Sequence, residues 1–149
     1  MWKSHPKALP YLFLSEMWER FGYYLMIGIF TLYLKDVEAG FAMTEKEASD
    51  LYGTFIALVF LTPFIGGLVA DRYWGNRKSI FVGGILMAIG QLLLFFCASL
   101  QQGSSSSEIL LWAGLGFLIF GNGFFKPNIS TMVGQLYSDN DVRKDGAYS

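Results

Sequence analysis

The sequence predicts an all-α membrane protein with four transmembrane helices, and two features of its composition lead to this fold class. Hydrophobic residues make up 53% of the 149 positions and aromatic residues 17%. The 11 basic and 12 acidic side chains lie in clusters, separated by apolar runs long enough to cross about 30 Å of hydrocarbon. These runs predict helices over residues 9–34, 50–70, 79–100 and 108–137.

The first predicted helix is unusual because it has charges inside it. Residues 21–34 are too few to cross a bilayer, so the helix must begin near Leu9 and include Glu16, Glu19 and Arg20. A cleaved signal peptide is the alternative for an N-terminal apolar stretch. Such a peptide has an uncharged apolar centre and a small-residue cleavage site, and this stretch has neither. A membrane helix that contains charges is therefore predicted.

The other three predicted helices follow from gaps in the charge pattern. Residues 51–70 and 80–100 carry no charge, and residues 109–137 carry only Lys126. Pro127 removes a backbone donor and predicts a bend beside that lysine. Between these helices, a short surface helix is predicted over residues 44–49 and a turn rich in Gln, Ser and Gly over residues 101–107.

The distribution of basic residues predicts the orientation of the chain. Lysine and arginine lie mainly before the first helix, between the second and third, and after the fourth, whereas the other two loops are mostly acidic. The positive-inside rule then places the N-terminus and residue 149 in the cytoplasm. The sequence thus predicts a multi-pass protein of the cell (inner) membrane.

One face of the first helix is polar. At about 100° per residue, its polar side chains fall within about 140° of one another; they include Glu16, Glu19, Arg20, Tyr23 and Tyr24. A charge inside the bilayer costs several kcal/mol unless it is paired or faces water, so this face is expected to point inward. Glu16 and Arg20 have the i,i+4 spacing of a local ion pair, which leaves Glu19 in need of another cation.

Lys126 is the predicted partner for the polar face of the first helix. Arg20 and Lys126 each lie about 16 Å from the cytoplasmic end of their predicted helix, and so at one depth. With Glu16 and Glu19 they would form a neutral cluster near the middle of the membrane. Structural ion pairs that lock the helices together are the alternative interpretation.

Other classes of function have little support in the sequence. A net charge of −1 gives no reason to expect a nucleic-acid partner, and a single cysteine cannot form an intramolecular disulfide. No nucleophile, metal-ligand cluster or cofactor-binding loop is visible, so no enzyme, catalytic residue, metal or cofactor is expected.

Three motifs resemble those of the proton-dependent oligopeptide transporters, a family of the major facilitator superfamily. Residues 16–24 (EMWERFGYY) resemble the ExxER motif with its following aromatic residues. Residues 66–78 (GGLVADRYWGNRK) are similar to the loop signature between helices two and three, which the whole superfamily shares. Residues 121–130 (GNGFFKPNIS) resemble the lysine-bearing fourth helix of the family. The resemblance implies the first four helices of the N-terminal six-helix bundle of a major facilitator fold, over residues 1–149.

The resemblance also implies a function, that of a proton-coupled symporter of di- and tripeptides. The residues that match the family's proton-coupling groups are Glu16, Glu19, Arg20 and Lys126. Those implied to bind substrate are Tyr23, Tyr24, Lys126 and Asn128, and those implied to form the gating loop are Asp71, Arg72, Arg77 and Lys78. The implied partners are protons, small peptides, the lipid bilayer and the C-terminal helices of the same transporter.

Two positions depart from the family pattern. Ile27 stands where many members have an arginine, and Phe60 stands where many have a tyrosine. A symporter of another small solute is therefore an alternative, as is a non-transporting four-helix membrane interaction subunit. Four helices are fewer than a complete major facilitator fold needs, so we expect an N-terminal fragment that does not transport alone.

Overall fold

The computed structural model describes residues 6–100, 104–138 and 141, and these residues form four long helices. The helices are α1 (Leu9–Lys35), α2 (Glu45–Val69), α3 (Asn76–Ser99) and α4 (Ser105–Gln135). A π-helical segment, Ala70–Trp74, continues α2. The predicted all-α fold is confirmed. Residues 101–103 of the predicted turn and the two chain ends, whose cytoplasmic location was predicted, lie outside the described residues.

Three of the four helices are long and apolar enough to cross a membrane, judged by length and composition. They are α2 with its π-helical extension, α3 and α4. The remaining helix, α1, has 27 residues and carries Glu16, Glu19 and Arg20 in its first half. With these charges it does not count among the helices apolar enough to cross a membrane. Its path through the membrane therefore depends on what those charges contact.

Asp36 and Gly40 form the tight turn that ends α1. The Asp36 carboxylate accepts hydrogen bonds from the backbone N–H groups of Ala39, at 2.7 Å, and Glu38, at 2.9 Å. These bonds hold the pKa of Asp36 below its usual value, because they stabilise the ionised carboxylate. A Cβ on Gly40 would overlap the backbone of Tyr33, so only glycine fits at that point of the turn.

A capping box begins α2. The Thr44 hydroxyl accepts from the N–H of Glu47 at 3.3 Å, and the Glu47 carboxylate accepts from the N–H of Thr44 at 2.9 Å. The helix then runs without a break from Glu45. The prediction of a separate surface helix over residues 44–49 is wrong. The capping box starts α2 at Glu45, so residues 45–49 are the beginning of that long helix.

Glycines set the distance between α3 and α4. A Cβ on Gly83 would lie 2.7 Å from the carbonyl oxygen of Gly121, and a Cβ on Gly90 would lie 2.9 Å from that of Gly114. Both helices thus bring a glycine to the contact at every seventh position, about two helical turns apart. Small residues let backbones approach closely, which favours helix association where lipid replaces water. The two helices therefore pack antiparallel along most of their length.

The helix α4 also contacts α2 through small residues. A Cβ on Gly66 would overlap the carbonyl group of Gly123, and the Thr62 hydroxyl donates to the carbonyl of Ile119 at 3.1 Å. The result is that α4 lies between α2 and α3, with buried residues along its whole length. A polar side chain on α4 is therefore enclosed by neighbouring helices.

The helix α1 lies against α2 and α4 by contacts near its two ends. At its start, Leu9 packs with Val133 of α4 and with Tyr137, which follows the end of α4. Towards its end, the ring of Phe30 lies 5.8 Å from that of Phe55 in α2. The first contact makes α1 antiparallel to α4 and sets which of their residues lie at the same depth.

Candidate functional site

Glu19 connects α1 to α4. Its Oε1 accepts a hydrogen bond from Nδ2 of Asn122 at 3.0 Å, and its Oε2 accepts one from Nε of Arg20. The side chain of Glu19 is only 7% exposed and that of Arg20 is 25% exposed. Asn122 is 3% exposed. Each carboxylate oxygen of this largely buried side chain therefore has a hydrogen-bond donor.

A cavity of about 710 Å³ adjoins this group. All four helices line it, and both Glu19 and Asn122 are among its lining residues. Most of its other lining residues are apolar, with Ser15 and Gln91 among the few polar ones. The polar group is thus a local patch on an apolar wall, as in sites where a few polar side chains orient a bound molecule.

The predicted local pair between Glu16 and Arg20 is not formed. Arg20 bonds to its neighbour Glu19, and its guanidinium carbon lies 5.3 Å from the centre of the Tyr23 ring. Over the described ranges, Glu16 takes part in no ion pair. The i,i+4 spacing allows the predicted pair, but Arg20 bonds to Glu19, which also bonds to Asn122 of α4.

Lys126 is not paired with an acid in the part of the chain that the structure describes. Its Nζ lies 5.2 Å from the centre of the Phe60 ring on α2, within the range of a cation–π contact. Asn122, one helical turn earlier on α4, is the residue that reaches Glu19. The predicted neutral cluster of Glu16, Glu19, Arg20 and Lys126 is therefore incomplete.

The predicted common depth of Arg20 and Lys126 stays a prediction: Leu9 packs with Tyr137, as the alignment behind it requires, but Asn122 rather than Lys126 reaches Glu19. The prediction counted inward from Leu9 and Tyr137, and Leu9 packs with Val133 as well. The Cα of Lys126 lies about 6 Å further along α4 than that of Asn122, whose side chain reaches Glu19. The depth of a residue depends on where neighbouring helices touch, and length alone does not give this.

The structure brings one of the predicted substrate-binding aromatic residues to the cavity and leaves the other outside. Tyr23 lines the cavity. Tyr24 is 65% exposed, and its ring meets that of Tyr23 edge-on at 5.7 Å. The two rings point in different directions because consecutive residues of a helix are about 100° apart.

Asn128 is also predicted to bind substrate, and this stays a prediction; the structure places its amide against its own helix. Its side chain is 1% exposed and donates to the carbonyl of Phe124 at 2.6 Å, one turn back on α4. This bond uses one of the two amide hydrogens, and Asn128 is not among the residues that line the cavity.

The predicted gating residues lie where α2 passes into α3. Asp71 and Arg72 belong to the π-helical segment, and Arg77 and Lys78 to the first turn of α3; all four are exposed. Only Gly75, at φ 75°, separates the two helices, and its N–H donates to the carbonyl of Ala70 at 2.7 Å. The connection is therefore a tight turn that presents four charges on one end of the helix bundle.

Asn122 is the site residue that the sequence reasoning missed. It lies within the motif of residues 121–130, for which the resemblance implies roles only at Lys126 and Asn128. The signal was available, since an amide in an apolar run four residues before Lys126 lies on the same helix face as the lysine.

Comparison with known proteins identifies the family. Residues 17–144 match the family model described as Major Facilitator Superfamily. The chain belongs to the Major Facilitator Superfamily. Within this superfamily, the predicted resemblance to the N-terminal part of the proton-dependent oligopeptide transporters is confirmed by the relatives that the chain matches.

Two curated members of the superfamily and one solved structure show this similarity. The chain is 37% identical over 148 residues to peptide transporter YePEPT of Yersinia enterocolitica, and 40% identical over 150 residues to a di-/tripeptide transporter of Lactococcus lactis. Each match covers 98% of this chain. A crystal structure of a POT family transporter in complex with 5-aminolevulinic acid matches with a TM-score of 0.90 and 33% identity over 99% of this chain.

The chain spans 28% of the length of the Yersinia relative and 29% of the Lactococcus relative. It spans 29% of the chain in the matched crystal structure. The similarity therefore concerns the first helices of these transporters.

Proposed function

We propose that the chain is the N-terminal part of a proton-coupled symporter of di- and tripeptides. The observation that carries the proposal is Glu19, a buried carboxylate that joins two helices through Arg20 and Asn122 beside a cavity. Ionisable groups inside a membrane protein mark proton and substrate pathways by default. The names of the Yersinia and Lactococcus relatives support peptides as the substrate class.

Glu19 is the proton acceptor in this proposal. Its ionised form is stabilised by the Arg20 guanidinium, and protonation removes the charge that holds Arg20 in place. Glu16 lies one turn away from Glu19, at the i,i+4 distance from Arg20. Proton binding therefore releases Arg20 toward Glu16 or toward an anionic substrate, and this change of partners couples the proton to the transported molecule.

Lys126 receives the peptide carboxylate in this proposal. Its ammonium contacts an aromatic ring, and no described acid shares it, so the ammonium can bind an incoming anion without breaking an ion pair. Tyr23 lines the cavity beside Glu19 and contributes wall area. The exposed charges at the junction of α2 and α3 act in gating; they are Asp71, Arg72, Arg77 and Lys78.

The chain crosses the inner membrane four times in this proposal, with both ends in the cytoplasm and the remaining helices of the transporter packed around it. The helix α1 crosses together with the three apolar helices, because its charges are turned toward α4. Large apolar side chains that do not line the cavity are exposed on α1, Leu14, Met17 and Leu32 among them. The basic residues at the junction of α2 and α3 support a cytoplasmic location for that turn.

A second substrate class, small non-peptide solutes, is favoured by Phe60. This ring offers no hydroxyl to a peptide backbone and contacts Lys126 instead. The matched crystal structure contains 5-aminolevulinic acid, a ligand smaller than most peptides. Competition experiments separate the two classes.

The test is uptake of a labelled dipeptide into liposomes that contain the full-length transporter, under an inward proton gradient. We expect Glu19→Gln to abolish gradient-driven accumulation and to retain exchange of labelled for unlabelled dipeptide. Glu38→Gln, in the exposed turn after α1, is the matched control and should behave as the wild type. Normal accumulation by Glu19→Gln would refute the role of Glu19, and uptake of 5-aminolevulinic acid without uptake of dipeptides would favour the second substrate class.

A further inference from the structure

Asn122 has one half of its amide bonded and the other half without a partner. Its Nδ2 donates to Oε1 of Glu19 at 3.0 Å. Its Oδ1 is buried and has no hydrogen-bond partner among the described residues. Buried polar atoms are almost always bonded, so an acceptor left empty beside a carboxylate calls for an explanation.

The hydrogen-bonding chemistry of the Glu19 carboxyl group and the Asn122 amide explains the unbonded acceptor. An ionised carboxylate can only accept hydrogen bonds, and it uses the Nδ2 donor of Asn122. A protonated carboxyl group has one O–H donor and one acceptor oxygen, which match the acceptor and donor of a primary amide side by side. The empty Oδ1 of Asn122 is therefore an acceptor that Glu19 can use only after it has bound a proton.

Few other titratable or charged groups lie near Glu19. Those on its own helix are Arg20, Glu16 and Tyr23. The helix α2 brings Tyr52 close to Tyr23, and α4 brings Lys126, whose ammonium is on the Phe60 ring. The described part of α3 lines the cavity with Gln91, which does not titrate. Asn122 is the group from another helix that bonds to Glu19 directly.

We propose that Asn122 positions Glu19 in both of its protonation states, donating to the carboxylate and accepting from the carboxylic acid. This inference rests on the proposed role of Glu19 in proton coupling. A hydronium ion delivers the proton and leaves as water, and the new O–H bond at Oε2 turns from Arg20 to Oδ1 of Asn122. Nδ2 keeps its bond to Oε1, so the contact between α1 and α4 persists while Arg20 is released.

The first test is the infrared difference spectrum of the full-length transporter, taken between low and high pH. The C=O band of protonated Glu19 is the band that disappears in the Glu19→Gln variant. A carboxylic acid that donates and accepts hydrogen bonds absorbs at a lower wavenumber than one without partners. We expect Asn122→Leu to move this band to a higher wavenumber. Asn128→Leu, an equally buried amide on α4 that bonds to its own helix, is the matched control and should leave the band in place.

A second variant covers the case in which Asn122→Leu does not fold. In Asn122→Asp, two carboxyl groups must share protons at close range, so the pH at which dipeptide uptake is half-maximal should rise by about one unit or more. If the wild-type transporter takes up dipeptide normally, either of two results would overturn the inference: an unchanged band position in Asn122→Leu, or an unchanged pH profile of uptake in Asn122→Asp. Loss of proton-driven uptake in the wild type itself would instead refute the proposed function.

Discussion

The buried carboxylate of Glu19 accepts hydrogen bonds from its neighbour in sequence and from a residue of another helix. Arg20 supplies the countercharge from the same helix, and Asn122 supplies a neutral donor from α4. Neither contact follows from the charge pattern alone. The result is an acid whose protonation changes the hydrogen bonds of two helices.

The first residue-scale prediction concerns the shape of the Arg20 side chain. Arg20→Lys keeps the charge but loses the forked, planar group that bonds Glu19 and stacks on Tyr23. We expect proton-driven dipeptide uptake to fall about tenfold, on the order of 1.4 kcal/mol. Lys35→Arg, at the exposed pair with Glu45, is the control and should have little effect. Wild-type uptake by Arg20→Lys would show that charge alone suffices.

The second residue-scale prediction concerns the ring beneath Lys126. Phe60→Leu removes the cation–π contact, worth about 0.5–2 kcal/mol, and should raise the KM for dipeptide about two- to thirty-fold. Phe60→Tyr keeps the ring and should keep or lower the KM. Phe64→Leu, at an exposed position one turn along α2, is the matched control. A KM for Phe60→Leu equal to that of Phe64→Leu would argue against positioning of Lys126 by the ring.

At the scale of whole helices, the glycines of α3 and α4 carry the packing. Neighbouring glycines differ in this respect, since a Cβ on Gly83 would meet the backbone of α4 and a Cβ on Gly84 would meet nothing within 4 Å. Gly83 therefore has a role in helix packing, whereas the structure shows no such role for Gly84.

We expect Gly83→Ala to destabilise the protein by about 1–3 kcal/mol, because an added methyl group forces two closely packed backbones apart. Gly84→Ala should leave stability nearly unchanged. Thermal unfolding of the purified transporter in detergent, followed by tryptophan fluorescence, measures the difference. Equal melting temperatures for the two variants would mean that the close contact at Gly83 has no energetic weight.

At the scale of the molecule, the arrangement of four helices predicts which turns face each side of the membrane. In a background where the one cysteine, the buried Cys97, is replaced by alanine, Glu38→Cys tests the turn after α1 and Tyr73→Cys tests the turn before α3. We expect a membrane-impermeant maleimide to label Glu38→Cys in intact cells, and Tyr73→Cys only after permeabilisation. The reverse pattern would overturn the proposed orientation.

Much of this architecture could be predicted from the sequence, because the relevant signals are local. Apolar runs set the number of helices, and the helical period places Glu16, Glu19, Arg20 and Tyr23 on one face. The three motifs gave the family, which the comparisons confirm. Each of these conclusions depends on residues within one helix or one turn.

The pairing of charges could not be predicted, because it depends on how far one helix slides along another. The helical period determines the face on which a side chain lies, but it leaves the axial register between α1 and α4 open. The packing of Leu9 with Val133 and Tyr137 sets that register at one end, and within it the Asn122 side chain reaches Glu19. The sequence by itself therefore determined four helices and a polar face, whereas only the tertiary structure decided that Glu19 bonds Arg20 and Asn122 while Lys126 contacts Phe60.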